Sequence, residues 1–255
     1  HLIGLQLKQK LDINWIADFR DPWTQIGYHN KLKLTKASQE KHEQLEKEVL
    51  QNADLILTTS FTTQKEFQEK TERPVEVITN GYDVEQVEKL PMDEKFSLAH
   101  IGSLLSGRNP GNLWRAISEL VSENADFAQD FKLKLIGAVG EQVLESIEKY
   151  GLKEWLVLQD YVSHAEALQL QRSAQLLLLI EINSEETKGI IPGKLFEYMV
   201  SDRPILAVGP PAADMERILR ETNTGSFFRY SQKEEIKIFL LEKYDLFKKL
   251  FQYII

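Results

Sequence analysis

The sequence predicts an α/β protein built on parallel sheets with helices on both faces. Three observations carry that expectation. Short apolar runs of strand length alternate with stretches of helical periodicity almost from end to end. Strands that alternate with helices in this way pair in parallel, because each crossover returns the chain to the same end of the sheet. The alternation also pauses at a loop containing Pro91 and then restarts. The pause predicts two units: residues 1–89, only the tail of a first doubly wound Rossmann-like unit, and residues 90–255, a second one.

The elements follow in order. From His1 the chain reads as the middle of a helix leading to a strand, so this sequence is expected to lack its beginning. INWIADF (Ile13–Phe19) is the first strand and stops at RDPW, where Asp21 before Pro22 reads as a helix cap with proline at the first helical position. Ala37–Leu50 is a charged helix with Leu45 and Val49 at helical spacing, and its EKHEQLEKE run reads as a solvated face. ADLILTTS is a second strand, FTTQKEFQEKT a short helix, and VEVITNG (Val75–Gly81) a third strand ending on a turn signal. After Pro91, FSLAHIG is a strand, GNLWRAISELVSE a helix, FKLKLIG a strand, and EQVLESIEKYG a helix stopped by Gly151. WLVLQDYV, QLLLLIEI and RPILAVG are strands, separated by the helices HAEALQLQRSA and GKLFEYMVS. AADMERILRETNTG is a helix ended by glycine, and the remainder reads as mostly helical.

Bulk properties narrow the function. The chain has 255 residues, 42% hydrophobic and 27% charged, enough for one large or two medium cores. A net charge of −8 argues against a general nucleic-acid binder, which needs a basic surface for phosphate. The absence of cysteine excludes disulfides and thiolate metal sites and fits a reducing compartment. The longest apolar run, LLLLIEI, is far short of the roughly 20 residues that span a bilayer.

In an open parallel sheet ligands bind beyond the carboxyl ends of the strands, so chemistry is expected in the loops there. HIGSLLSGRNP (His100–Pro110) runs from strand through a glycine-bearing loop to helix, which aims backbone N–H groups at a phosphate. Gly102 and Gly107 nearly reproduce the GxxxxGK[ST] phosphate loop. Arg108 replaces its lysine and Asn109 its metal-binding hydroxyl, so magnesium-dependent nucleotide hydrolysis lacks a ligand. A guanidinium there suits a phosphate bidentately; a flexible turn is the plain alternative.

In KGIIPGKLFEYM (Lys188–Met199), Gly189 and Gly193 permit close approach of a ligand, and Pro192 suits the first helical position. Lys194 near a helix N-terminus is electrostatically unfavourable unless an anion lies between them. Glu197 faces the same side and has the chemistry to accept two ribose hydroxyls; a surface ion pair with Lys194 is the structural alternative. In DYVSHAEAL, Ser163 and Glu166 form a capping box, His164 has a weak claim to function, and the backbone of Tyr161 and Val162 is placed to read a nucleobase edge. In ADFRDPW, Asp18 and Arg20 either pair with each other or line a cleft wall beside Asp21. No Ser–His–Asp set, GxSxG elbow or metal-ligand cluster is visible.

Together, ADLILTTS, VEVITNGYD, HIGSLLSGRNP, DYVSHAEAL and PGKLFEYMVSDRPILAVG, in this order, resemble the GT-B-fold retaining glycosyltransferases, particularly family 4 (group 1). The resemblance runs from ADFRDPW to the helix ending at Gly225. It implies two facing Rossmann-like domains, the N-terminal one incomplete here, with a nucleotide-sugar donor held by the second. By position it makes Glu197 the ribose-binding glutamate and Arg108 the basic residue that grips the diphosphate. Gly102 and Ser103 approach the phosphates, Pro192, Gly193 and Lys194 cradle them, and Tyr161 and Val162 hold the base. The family has a second, sugar-contacting glutamate eight residues before the ribose-binding one; here that position is Gly189, with Glu185 and Glu186 nearby. The family histidine after the first strand is likewise replaced, by Arg20 and Asp21.

The resemblance implies metal-independent transfer of a sugar to an acceptor hydroxyl with retained configuration. Arg108 and Lys194 are the candidate catalytic groups, stabilising charge on the departing diphosphate; neither is a nucleophile. Asp18, Arg20 and Asp21 fall on the acceptor side. It further implies no cofactor beyond the donor, an acceptor in polysaccharide or glycolipid synthesis, and peripheral association with the cytoplasmic membrane face. A nucleotide-sugar 2-epimerase of the same fold and a non-catalytic nucleotide-sugar binding module are the competing expectations.

Overall fold

A computed structural model describes residues 1–26, 32–83, 90–105 and 107–252. The chain forms two compact units, His1–Gly81 with Ser184–Ile191, and Tyr82–Asn183 with Pro192–Ile255. The division at 89/90 expected from sequence adjoins residues 84–89, outside the described residues.

In the first unit α1 (Leu2–Leu11), β1 (Ile16–Phe19), α2 (Lys36–Asn52), β2 (Leu55–Thr58), α3 (Phe61–Gln68) and β3 (Val75–Val77) follow one another. The strands form a parallel sheet in the order β1-β2-β3. Phe19, Val49, Leu50, Ile56 and Phe67 fill its core, and the Phe19 and Phe67 rings meet edge-on at 4.9 Å. Thr35 and Ser60 start α2 and α3 by accepting the Ser38 and Thr63 N–H groups.

Two sequence expectations are corrected here. Residues 21–26 form bends rather than the helix expected after Asp21. The segment is tied down from α2 instead: Thr24 donates its N–H and hydroxyl to Glu46 at 3.0 and 2.8 Å, and Trp23 Nε1 donates to His42 at 3.0 Å. The charged run of α2 is therefore not wholly a solvated face. Glu46 is 1% exposed, and its charge is matched by Lys70 at 2.6 Å, as a buried carboxylate requires.

The second unit runs β4 (Phe96–Ile101), α4 (Gly111–Glu123), α5 (Ala125–Asp130), β5 (Phe131–Ile136), α6 (Glu141–Lys149) and β6 (Leu156–Gln159). It continues with α7 (His164–Ser173), β7 (Leu176–Ile180), α8 (Gly193–Met199), β8 (Ile205–Gly209), α9 (Asp214–Thr222), β9 (Gly225–Arg229) and α10 (Lys233–Gln252). Its sheet is parallel throughout, in the order β6-β5-β4-β7-β8-β9. β4, β7 and β8 are buried at every position, which is why β7 and β8 read as unbroken apolar runs and β4 departs from one only at Ser97 and His100. The apolar face of α4, with Leu113, Trp114, Ile117 and Leu120 buried, packs into the core beneath them.

The mostly helical tail expected after Gly225 begins instead with β9. Of its residues only Phe228 is buried, because β9 is an edge strand, so GSFFR carries little strand signal. The short α5 was also not expected. Asn124 starts it, its Oδ1 accepting the Phe127 N–H at 3.0 Å. Among the described residues, no helix is long and apolar enough to cross a membrane.

Candidate functional site

The order of strands in the second sheet reverses direction between β4 and β7. These two strands pair only through Leu98↔Leu176 and Ala99↔Leu177. Beyond those rungs they part, and a crevice opens at their carboxyl ends, the position where doubly wound sheets bind ligands. Beside this switch point, at the carboxyl ends of β4 and β5, lies a cavity of about 240 Å³, lined among others by Gly102, Tyr161, Val162, Gln171, Lys194 and Glu197. Sequence reasoning had singled out all of these but Gln171.

Gly102 closes β4 with φ +110°, a conformation that L side chains rarely adopt, and a Cβ there would come within 2.7 Å of Lys194 Nζ. The bare backbone lets the lysine lie across the loop. Lys194 Nζ donates to the Ile101 carbonyl at 2.9 Å and lies 3.4 Å from His100 Nε2. It has no carboxylate ion-pair partner among the described residues. Burial, then the neighbouring Arg108 charge, pushes its pKa down to about 8. The surface ion pair with Glu197 weighed from sequence does not form; Glu197 acts on the lysine only as a nearby charge.

Glu197 is held from α7. Gln171 Nε2 donates to its Oε2 at 3.0 Å, and His164 Nε2 lies 3.4 Å from its Oε1. Two carboxylate oxygens offer about four acceptor positions, so capacity remains for a ligand hydroxyl. His164 thus stands beside the site, where sequence reading gave it only a weak claim. Ser163 caps α7 as expected, accepting the Glu166 N–H at 3.2 Å, while the Glu166 carboxylate accepts from Gln159 instead of closing the box. At the mouth of the cavity the exposed Tyr161 hydroxyl meets Ser103 Oγ at 2.6 Å.

Arg108 does not line this cavity; it ends the Gly102 loop beside the residue that follows β7. The loop is anchored by Asn109, which accepts from Trp114 Nε1 at 2.7 Å and donates to Ser146 Oγ at 2.8 Å. Arg108 Nη2 donates to Glu181 at 3.1 and 3.4 Å. Glu181 follows β7, is 1% exposed, and also accepts the Ile182 N–H at 2.7 Å. It escaped the sequence reading because it sits inside LLLLIEI. A lone charge at the end of an apolar central strand is itself a signal, since it must be paired.

Pro192 is the N-cap of α8 and Gly193 its first residue, one position from expectation. Gly189, by contrast, belongs to the first unit, where a Cβ would come within 3.2 Å of Thr62 and 3.3 Å of Ser60. A glutamate side chain does not fit that approach without displacing its neighbours. Asp18, Arg20 and Asp21 also lie in the first unit, exposed at the end of β1. Arg20 Nη2 donates to Asn80 at 2.9 Å rather than pairing with Asp18. Among the described residues, no three His, Asp or Glu side chains gather as a metal site requires.

No protein-family model and no curated protein sequence matches the chain. Solved structures do. WaaG, a glycosyltransferase involved in lipopolysaccharide biosynthesis, aligns over 94% of this chain and 71% of its own at a TM-score of 0.62 and 14% identity. Sucrose-phosphate synthase from Thermosynechococcus elongatus aligns over 99% of this chain and 71% of its own, with a TM-score of 0.54 and 15% identity. A point mutant of S. aureus TarM, in complex with fondaparinux, α-GlcNAc-glycerol and UDP, aligns over 79% of this chain but only 39% of its own, with a TM-score of 0.56 and 13% identity. Two parallel sheets in this arrangement of elements, matched to these structures, give the chain the fold of the GT-B glycosyltransferases.

Proposed function

We propose that the chain belongs to a family-4-like glycosyltransferase that moves a sugar from a nucleoside diphosphate sugar to an acceptor hydroxyl with retention of configuration. One observation carries this reading. Arg108 lies close enough to Lys194 at the switch point to disfavour its charge, and Lys194 has no carboxylate partner among the described residues. Such an arrangement costs energy in the empty protein and is relieved by a bound anion. The adjacent Glu197, with spare acceptor capacity, suits a ribose. A diphosphate joined to a ribose satisfies both, and a similar structure, that of TarM, was obtained with UDP.

In this reading the base lies along Tyr161 and Val162, the ribose hydroxyls donate to Glu197, and the phosphates pass over Gly102 toward Ser103. The Pro192 and Gly193 backbone borders them. As the glycosidic bond breaks, negative charge grows on the departing diphosphate. Lys194 and the unengaged N–H groups of Arg108 stabilise it as fixed, preorganised donors. Because α8 has fewer than two turns, its dipole is secondary to these full charges. No side chain is assigned as a nucleophile, and no metal is invoked. Gly189 contributes backbone only, so contacts to the transferred sugar fall to other groups. Asp18, Arg20 and Asp21 are assigned to the acceptor side, the acceptor being a lipid-linked or polysaccharide hydroxyl met at the cytoplasmic face of a membrane.

The test is a thermal-shift screen of UDP-, GDP- and ADP-sugars, followed by product analysis with the stabilising donor. One nucleotide series is expected to raise the melting temperature by binding the folded state, and its sugar is expected to appear in a retained-configuration product. Stabilisation without any transfer or hydrolysis would favour the binding module. No stabilisation by any series contradicts the proposal.

A further inference from the structure

The mechanism above leaves unused a buried titratable group that adjoins Lys194. His100 lies inside β4, 1% exposed, one rung beyond the last β4–β7 pair. Its Nδ1 is 2.9 Å from the Leu178 carbonyl. A carbonyl only accepts, so Nδ1 carries the hydrogen. Burial above all, then the charge of Lys194, pushes the imidazole pKa down to about 3, opposed by the Leu178 and Ser103 carbonyls and reinforced by Arg108. At neutral pH the ring is uncharged, and with the hydrogen on Nδ1 its Nε2 is a bare lone pair.

Two groups lie 3.4 Å from that lone pair, the Ser103 carbonyl and Lys194 Nζ. Only the ammonium has a hydrogen to give. Its other protein acceptor is the Ile101 carbonyl at 2.9 Å, and the Ile101 N–H is fixed in turn by the buried Tyr198 hydroxyl at 2.9 Å. The three ammonium hydrogens are then divided, two to neutral acceptors and one left for a ligand. The charged groups that bear on Lys194 are Arg108, Glu197 and Glu181; none of them hydrogen-bonds it, so its direction is set by the neutral pair.

We propose that His100 is a positioning residue, which in its Nδ1–H tautomer accepts a hydrogen bond from Lys194 and, with the Ile101 carbonyl, holds that ammonium over Gly102. That this places the charge against a diphosphate rests on the function proposed above; the His100–Lys194 bond itself does not. Asparagine at 100 keeps an N–H for Leu178 but does not reach Lys194, whereas glutamine reaches it with an amide oxygen.

Two measurements on the full chain test this. In the unaltered protein, ¹⁵N NMR of the His100 side chain is expected to show the Nδ1–H tautomer at pH 7; an Nε2–H tautomer or an imidazolium overturns the proposal whether or not any variant folds. In ligand-free protein, acetic anhydride labelling of Lys194, read by mass spectrometry across pH, reports the fraction of free amine. Loss of a neutral acceptor disfavours the ammonium, so His100→Asn is expected to label about five-fold faster at pH 7, with His100→Gln within about two-fold of the parent. An unchanged profile in His100→Asn overturns the proposal. With a donor established, His100→Asn is also expected to raise donor KM several-fold and His100→Gln to restore it. A labelling shift with unaltered nucleotide binding upholds the His100–Lys194 bond and sinks the diphosphate assignment instead.

Discussion

The second unit holds two cavities of similar size at opposite ends of one sheet. The cavity at the carboxyl ends of β4 and β5 measures about 240 Å³. The other, about 310 Å³, lies at the amino ends of β8 and β9 and is lined by Arg203, Asn223, Thr224 and Lys243 among others. Each has two cations in or beside it, so neither volume nor formal charge tells them apart. Backbone direction does. The larger cavity receives the end of α9, whose last carbonyls carry partial negative charge, and, like Glu197 in the smaller one, Asp202 lies in its wall. Its cations already face electron-rich neighbours: Arg203 Nη1 meets Met92 Sδ at 3.0 Å, and Lys243 lies over the Phe239 ring at 5.1 Å. At the smaller cavity Arg108 is paired with Glu181, while the Lys194 charge is disfavoured by burial and by Arg108 more than Glu197 and Glu181 favour it. In the proposed reading the smaller cavity, where burial and Arg108 together disfavour the Lys194 charge, is the anion site.

The sharpest way to break this comparison is Arg108→Ala. It is expected to lower turnover by about 10²–10³-fold. It also strands the buried Glu181 charge, which costs about 3–5 kcal/mol when a buried partner is removed. Adding Glu181→Gln should recover the melting temperature without recovering turnover. Recovery of both would reduce Arg108 to a structural role.

The next effect comes from pH. Lys194 is charged below its pKa of about 8 and neutral above it. The donor kcat/KM is therefore expected to be flat up to about pH 8 and to fall about ten-fold per unit beyond it. The same shift has a stability counterpart. A lysine whose folded pKa lies below its unfolded value of 10.5 destabilises the fold most fully below pH 8, and the penalty disappears by about 10.5. Lys194→Met should stabilise the neutral-pH protein by about 1–3 kcal/mol, measurable by denaturant titration, while abolishing turnover. A less stable methionine variant would mean that the lysine is not poised.

Smaller still, Glu197→Gln should weaken donor binding about ten-fold by calorimetry, the loss of charge-assisted bonds to the ribose. The smallest expectation belongs to the larger cavity. Arg203→Met removes a buried Nε that finds no partner among the described residues, so the melting temperature should hold or rise slightly and donor affinity should stay within about two-fold. A large loss of donor binding there would reverse the comparison.

Much of this was legible in the sequence. Parallel strands buried on both faces are predominantly apolar, so FSLAHI, LLLLI and ILAVG announce the centre of the sheet. Ligands of such sheets sit at strand ends, which made Gly102, Arg108 and Lys194 natural candidates. What stayed hidden depends on long-range pairing. Glu181 and His100 read as minor interruptions of apolar strands until Arg108 and Lys194 are brought beside them. Glu46 looks like one more charge on a solvated helix until Thr24 and Lys70 close over it. β9 is an edge strand with one buried residue, too weak a pattern to separate from the helix that follows it. At Gly189, where the resemblance places a glutamate, the structure adds that a side chain would require Thr62 and Ser60 to give way by a few tenths of an ångström.

Hydrogen exchange with and without the stabilising nucleoside diphosphate tests the central claim most directly. Slower exchange is expected in the peptides covering 101–111, 161–171 and 193–198, with 202–204 and 223–226 unaffected. Protection confined to the amino-end segments, or equal protection at both ends of the sheet, would contradict the assignment of the anion site to the carboxyl end of the sheet beside the β4–β7 switch point.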